Sequence, residues 1–397
     1  MKRFLMFLLT GLLLLSMCAC ASSGENATDG TKTDKAISET AAPSVENETE
    51  SNAEAEEILI GVEFFDWSID LGKDIKSMIE YASEAIGATP MYAENKFDSE
   101  KCITDVENLF AAGCKAVIVC NTNDAQMVKI VQVAEKYDGK VFQFFRTLND
   151  EEIRDQIWNS TAYGGQVHED EYDVGYHVAK QMIDAGVTNV GLINFTVGDI
   201  TAETRQAGFV AAFEEAGTNI VAETWEVTTG EIATQVTENY LASYPELDGI
   251  AVIGGSGEAL YAVQNTLESY GKTGEVIVST VDFYANMTAD LESHALGAIA
   301  GGHWCDPFFA YMLAYNYCTG AFTDGALPVE VKNNMIFIGS LEDAQNFDKY
   351  FNGELPPFDK DEIRAMTGRY NPDFTVDTIV SATANLTLED VMNRHAS

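Results

Sequence analysis

Positive charge is what this chain has least of: 23 Lys and Arg stand against 63 Asp and Glu, a net charge of −40 over 397 residues. So acidic a surface repels phosphate backbones and excludes nucleic acid as a partner. Cysteine is also scarce, with seven in all. Beyond Cys18 and Cys20 the set is odd in number (Cys102, Cys114, Cys120, Cys305, Cys318) and holds no C-x-x-C pair, so neither a disulfide framework nor a zinc site is predicted. Mostly buried, unpaired thiols are expected, with room left for one bridge. Enzymatic signatures fail too. Gly254–Glu258 reads G-G-S-G-E, ending in Glu where a nucleophile elbow needs glycine, and Leu260 stands at the third glycine position of a dinucleotide loop. Asp359–Glu362 lacks the framework of a calcium loop. His168 with Glu169, Asp170 and Glu171 reads as a solvated polar run. No enzyme, cofactor, catalytic residue or metal site is therefore expected.

A membrane-spanning apolar run is missing as well. Phe4–Met17 follows the positive Lys2 and Arg3 but falls short of the roughly 20 residues that a span needs, which is the pattern of an export signal. The next residues resemble the lipobox of bacterial lipoproteins, with small Ala19 before Cys20 and Met17 three positions upstream; Cys18 is the alternative. The resemblance implies a signal peptide over residues 1–19 and acyl chains such as palmitate on Cys20. Each methylene they bury contributes about 0.8 kcal/mol, enough for two or more chains to hold a protein at the cell membrane, facing outside the cytoplasm. Loss of Lys2 and Arg3 takes the charge from −40 to about −42. Residues 20–57 carry no aromatic residue and almost no large aliphatic one, so they are expected to form a flexible acidic tether.

About 340 residues follow, more than one core usually serves, and two domains are expected. From "ILIGVEFF" onward short β-rich runs alternate with amphipathic stretches: "KAVIVC" precedes "DAQMVKIVQVAEKY", and "GIAVIGG" precedes "GEALYAVQNTLESYG". This pitch predicts an α/β protein with mainly parallel sheets and right-handed crossovers, arranged as two Rossmann-like three-layer domains. Near-continuous apolar strands such as "EVIVSTV" fit sheets covered on both faces.

The order of these elements resembles the type 1 periplasmic binding proteins, the ribose and galactose binders and their repressor relatives, over about Ile58 to Tyr317. The resemblance is carried by "CITDVENLFAAGCKAVIVCNTNDAQ", by "KVFQFFR" with its terminal arginine, by "VHEDEYDVG" at a crossover, by "TAETRQAGFVAAFEEAG", and by "YPELDGIAVIGGSGEAL" with "VIVSTVD". It implies a three-stranded hinge crossing near residues 165–170, 300–304 and 322–328. The N-terminal lobe would then comprise 58–168 plus 304–325, and the C-terminal lobe 169–303 plus 326–397 with an extension the family does not explain.

In open parallel sheets ligands sit beyond the carboxyl ends of the strands. The residues placed there are Phe65, Asp66 and Trp67, Asn121, Arg146, Glu203, Thr228, Ser256, Asp282, His303 and Trp304. Aromatic faces combined with carboxylate, guanidinium and amide groups suit a sugar, whose C–H face stacks while its hydroxyls donate and accept. By resemblance, Arg146 falls on the family's binding arginine, Asp282 on its late aspartate, and Trp67 in the loop that supplies stacking aromatics. Phe145 replaces the acidic residue expected before Arg146, Glu203 a binding arginine, and Thr228 a stacking aromatic. These departures leave open a sugar with differently disposed hydroxyls or a ligand with an amine. The function so implied is a lipid-anchored, monomeric substrate-binding protein that delivers a small polar solute to an ABC transporter permease. The alternative is an extracellular module that reports occupancy to a membrane kinase or chemoreceptor.

Overall fold

The computed structural model describes residues 57–323, 325–351 and 356–395. The signal peptide, Cys20 and nearly all of the tether lie outside them. Among the described residues no helix is long and apolar enough to cross a membrane.

Local signals set the elements. Helix after helix starts on an Asp or Asn whose side chain accepts first-turn N–H groups: Asp98, Asn123, Asp150, Asp170 and Asp199. Between the helices run short apolar strands. The first sheet contains β1 (Leu59–Phe64), β2 (Thr89–Glu94), β3 (Ala116–Val119), β4 (Lys140–Phe144) and β5 (Tyr163–His168). The second contains β6 (Asn189–Ile193), β7 (Asn219–Thr224), β8 (Gly249–Val252), β9 (Ile277–Val281) and β10 (Ala298–Gly301). Two late strands, β11 (Val329–Lys332) and β12 (Ile336–Ile338), add one edge to each. The strand orders are β11-β5-β4-β3-β1-β2 and β12-β10-β9-β8-β6-β7. All pairings are parallel except that of β12 with β10. The expected pair of parallel α/β lobes is thus present.

The chain passes from the first sheet to the second after β5, returns after β10, and passes again between β11 and β12. The last passage lies at residues 333–335 rather than at 322–328, because Val329–Lys332 pairs in parallel with Gly165–His168. Residues 326–332 therefore extend the first lobe, not the second. Much of the extension also returns there: Lys360–Ala365 packs on the helix Asp70–Ile86, and Val376–Asn385 packs on β11 and the helix Cys305–Cys318. The final helix, Leu388–His395, packs on Leu341–Tyr350, which in turn packs on Met287–Glu292 of the second lobe.

Helix Cys305–Cys318 is buried nearly all round, lying across β3, β4 and β5, which accounts for its lack of a polar face. The five cysteines of the described residues are free thiols, Cys318 partly exposed and the others buried.

Within the first lobe Glu63 on β1 is fully buried, accepting from Asn95 Nδ2 at 2.7 Å and from the Cys102 thiol at 3.2 Å. Burial pushes its carboxyl up from 4.5 to about 7. The folded state keeps this proton where the unfolded chain has lost it, so stability falls as pH rises from 4.5 towards 7 and is level above. Glu63→Gln keeps both partners and removes the loss. Its unfolding free energy from urea titration should match wild type near pH 4.5 and exceed it at pH 8, by about 3 kcal/mol.

Candidate functional site

Two glycines set the geometry of the site. The helices Glu171–Asp184 and Ile200–Ala216 cross so closely that a Cβ on Gly175 would lie 2.0 Å from the carbonyl oxygen of Arg205, and one on Gly208 would lie 2.0 Å from that of Tyr172. Only residues without a Cβ allow this approach. It brings Glu171, in the first turn of one helix, against Arg205 on the other. Arg205 donates through Nε to Glu171 Oε2 at 2.8 Å and through Nη2 to Oε1 at 3.0 Å, while Nη1 donates to the carbonyl of Ile253 at 2.9 Å. A buried two-pronged pair of this kind is strong and directional. Burial alone would raise the Glu171 carboxyl, but Arg205 and His303 hold it well below the usual carboxylate range.

His303 follows β10 and joins the pair. Its Nδ1 meets Asp282 Oδ1, and its Nε2 lies 3.2 Å from Glu171 Oε1 and 3.8 Å from Glu169 Oε1. Burial works against a charge here, yet Glu169, Asp282 and Glu171 outweigh it and hold the imidazole well above its ordinary value. Asp282 sits at φ 70°, and Phe145 at φ 65°, both in the left-handed region. Such non-glycine conformations cost about 1–3 kcal/mol and cluster at functional sites.

Next to His303, Glu169 and Asp306 are buried carboxylates from the first and second crossings. Burial and the charge of Asp306 raise Glu169 far above normal, and burial raises Asp306 to about 6. Asn333, on the third crossing, donates to Asp306 Oδ1 at 3.0 Å. All three connections between the lobes thus meet in one polar cluster. The run His168–Glu171, expected to be solvated, is largely buried within it: His168 bonds the Glu169 carbonyl at 2.9 Å and Glu330 at 2.8 Å. The unexpected strand β11, which carries Glu330, covers His168, while Arg205 and His303 cover Glu171.

Between the carboxyl ends of the two sheets lies a cavity of about 410 Å³. The first lobe contributes Phe65, Phe97, Phe145 and Arg146; the second contributes Glu171, Phe195, Arg205, Ser256, Tyr261, Asp282 and His303. Arg146 spans the gap, with Nη1 on the Thr201 hydroxyl and Nη2 3.4 Å from Asp199 Oδ2. Phe65 stacks on Phe97 at 4.5 Å between ring centroids. A second cavity of about 220 Å³ beside the crossings is lined by Asn121, Arg146, Glu169 and Lys332.

Of the residues expected at the site, Phe65, Arg146, Ser256, Asp282 and His303 line the larger cavity, and Asn121 lines the smaller. The others lie elsewhere. Trp67 donates its indole N–H to the Ala93 carbonyl at 2.9 Å and packs edge-on against Tyr92 within the first lobe. Asp66 pairs with Lys96 at 2.8 Å. Trp304 is buried against Phe351. Glu203 accepts from the Gly198 N–H at 2.7 Å, and Thr228 is exposed. Neither tryptophan lines the larger cavity; its aromatic lining is Phe65, Phe97, Phe145, Phe195 and Tyr261. Phe97 escaped the sequence reading because it follows β2 by a turn that no motif marks, and Glu171 because its partner lies 34 residues away.

Two lobes whose strand ends face a shared cavity define a solute-binding architecture. The periplasmic binding protein domain family matches residues 63–317, and the chain belongs to it, among binding proteins rather than enzymes. The ABC transporter periplasmic solute binding protein of Actinobacillus succinogenes, solved with bound D-allose, is similar in fold, with TM-score 0.65, 20% identity, and 73% of this chain and 100% of that one covered. A solute binding protein of Bacillus halodurans with bound myo-inositol gives TM-score 0.61 at 17% identity, covering 74% and 97%. The arabinose-transporter binding protein of Shewanella sp. ANA-3 gives 0.61 at 15%, covering 72% and 93%. No curated protein matches the sequence.

Gly208→Ala should force the crossing helices apart, lowering the unfolding free energy read from urea titration by about 2–3 kcal/mol. Gly230→Ala, outside the left-handed region and with no heavy atom nearer than 3.2 Å to the added Cβ, provides the comparison for a glycine outside the crossing.

Proposed function

We propose that the protein is a lipid-anchored, extracytoplasmic substrate-binding protein that captures a small polar solute of the sugar class between its lobes and presents it to an ABC importer permease. One observation carries this reading: the 410 Å³ cavity sets the rings of Phe65 and Phe97 on one side against Ser256, Asp282, Arg205 and His303 on the other. Its size lies within the roughly 300–1,000 Å³ typical of small-molecule pockets. A pyranose or inositol ring packs its C–H face on aromatic carbon, and each hydroxyl needs both a donor and an acceptor. The cavity offers acceptors in Asp282 and Glu171, donors in Arg205 and Arg146, and a hydroxyl in Ser256 that does both. The family and the sugars held by structural neighbours support the same class.

Closure follows from the topology. The lobes are joined by three short connections, so rotation about them changes the cleft while leaving each sheet intact. A ligand that contacts both lobes favours the closed form by its differential affinity, and closure needs no covalent step. Anchoring rests on the sequence around Cys20, and the protein acts as a monomer beside its permease.

The test is a thermal-shift screen of the mature chain against D-allose, arabinose, myo-inositol, further aldoses and small amines. A ligand at 100 times its Kd should raise stability by about 2.7 kcal/mol. Phe65→Ala and Asp282→Asn should each weaken the best sugar at least tenfold by calorimetry. A panel in which only amines shift the transition would replace the sugar reading, and no shift with any member would end it. Separately, Cys20→Ala in the producing cell should move the protein from the membrane fraction to the soluble one.

A further inference from the structure

The polar cluster at the crossings carries more negative charge than its own residues neutralise. Glu169, Glu171 and Asp306 are buried, and Asp282 is largely covered. Against these four carboxylates stand Arg205 and, when protonated, His303. Even with His303 charged, two negative charges are left over. Uncompensated buried charge costs several kcal/mol per ion, so such a cluster requires a counter-ion or protons. The deficit centres on Glu169, whose side chain is wholly shielded from solvent and whose two carboxylate oxygens receive no hydrogen bond. Asp306 Oδ2 and Asn333 Oδ1 are likewise buried without a donor.

We propose that a divalent cation binds here, held by Glu169, Glu171 and Nε2 of His303. One ligand atom from each lies within 4.8 Å of the others. Ligands of one ion are roughly 3–4 Å apart for bonds near 2.1 Å, so only small side-chain movements are needed. The surroundings fit the role. Asp282 accepts from Nδ1 of His303, which fixes the tautomer that turns the Nε2 lone pair towards the ion, as second-sphere carboxylates do for metal-bound histidines. Arg205 grips both oxygens of Glu171, which fixes the carboxylate's direction while offsetting part of its charge. Two carboxylates and one imidazole suit a first-row ion such as Zn²⁺ or Mn²⁺. Glu171 and His303 also line the solute cavity, which puts the ion at its floor with coordination positions open towards a ligand.

The proposal stands independently of which solute the cleft takes, because it rests on the cluster alone.

The test uses the mature chain stripped with a chelator, then titrated separately with Zn²⁺ and Mn²⁺ by calorimetry, with elemental analysis after desalting. Wild type should retain one ion per chain. Glu169→Gln and His303→Gln should each lose tenfold or more in affinity, whereas Glu268→Gln, on an exposed helix surface, should bind as wild type. Glu169→Gln removes a buried charge, so its melting temperature should be no lower than that of the ion-free wild type, separating ion loss from misfolding. Stripped wild type that takes up neither ion would overturn the proposal, as would Glu169→Gln that binds like wild type. A protonated-carboxyl infrared band present in wild type at neutral pH under both ions, and absent from Glu169→Gln, would overturn it by assigning the neutralising role to a proton on Glu169.

Discussion

The buried pair of Glu171 and Arg205 is the interaction on which the rest of the site depends. It joins two helices of the second lobe at their closest approach, and His303 and Asp282 are then arranged around its free edge. A lone guanidinium in that position would be untenable, as would a lone carboxylate; together they form a rigid, dry platform under the cleft. The proximity of Gly175 and Gly208 to the opposing backbones sets the spacing, so a steric fact about two glycines determines where charged groups sit.

From that platform the polar cluster extends to all three connections between the lobes. Glu169 lies on the first, His303 and Asp306 on the second, Asn333 on the third. Charge and hinge are therefore one region. Glu171 and His303 floor the cavity and Arg146 forms part of its wall, and Arg146 itself reaches across to Asp199 and Thr201. The C-terminal helices add a second link between lobes, packing on Asp70–Ile86 at one point and on Leu341–Tyr350 at another.

Much of the architecture was legible in the chain. Apolar runs such as "AVIV" at Ala116–Val119 and "GIAV" at Gly249–Val252 are buried along their whole length, as parallel strands covered on both faces must be. Strand ends then pointed to Phe65, Arg146, Ser256, Asp282 and His303, because the position of a residue after a strand is a local property. Trp67 and Trp304 were drawn to the site by the same rule and by their size, but each found a better partner within its own lobe: Trp67 a carbonyl and a tyrosine, Trp304 a phenylalanine from the C-terminal region. Edge strand β11, four residues reading Val-Glu-Val-Lys, has too little apolar character to announce itself.

Sequence by itself determined the alternation of strands and helices, the acidic surface and the family pattern, all of which are written in periodicity, composition and short motifs. Tertiary structure alone decided which charges are buried together. Glu169 and Glu171 look solvated in the chain because their neighbours there are polar, and Asp306, His303, Asn333 and Arg205 come from segments 34 to 164 residues distant. Burial and electrostatic coupling depend on distance in space, and no local pattern records it.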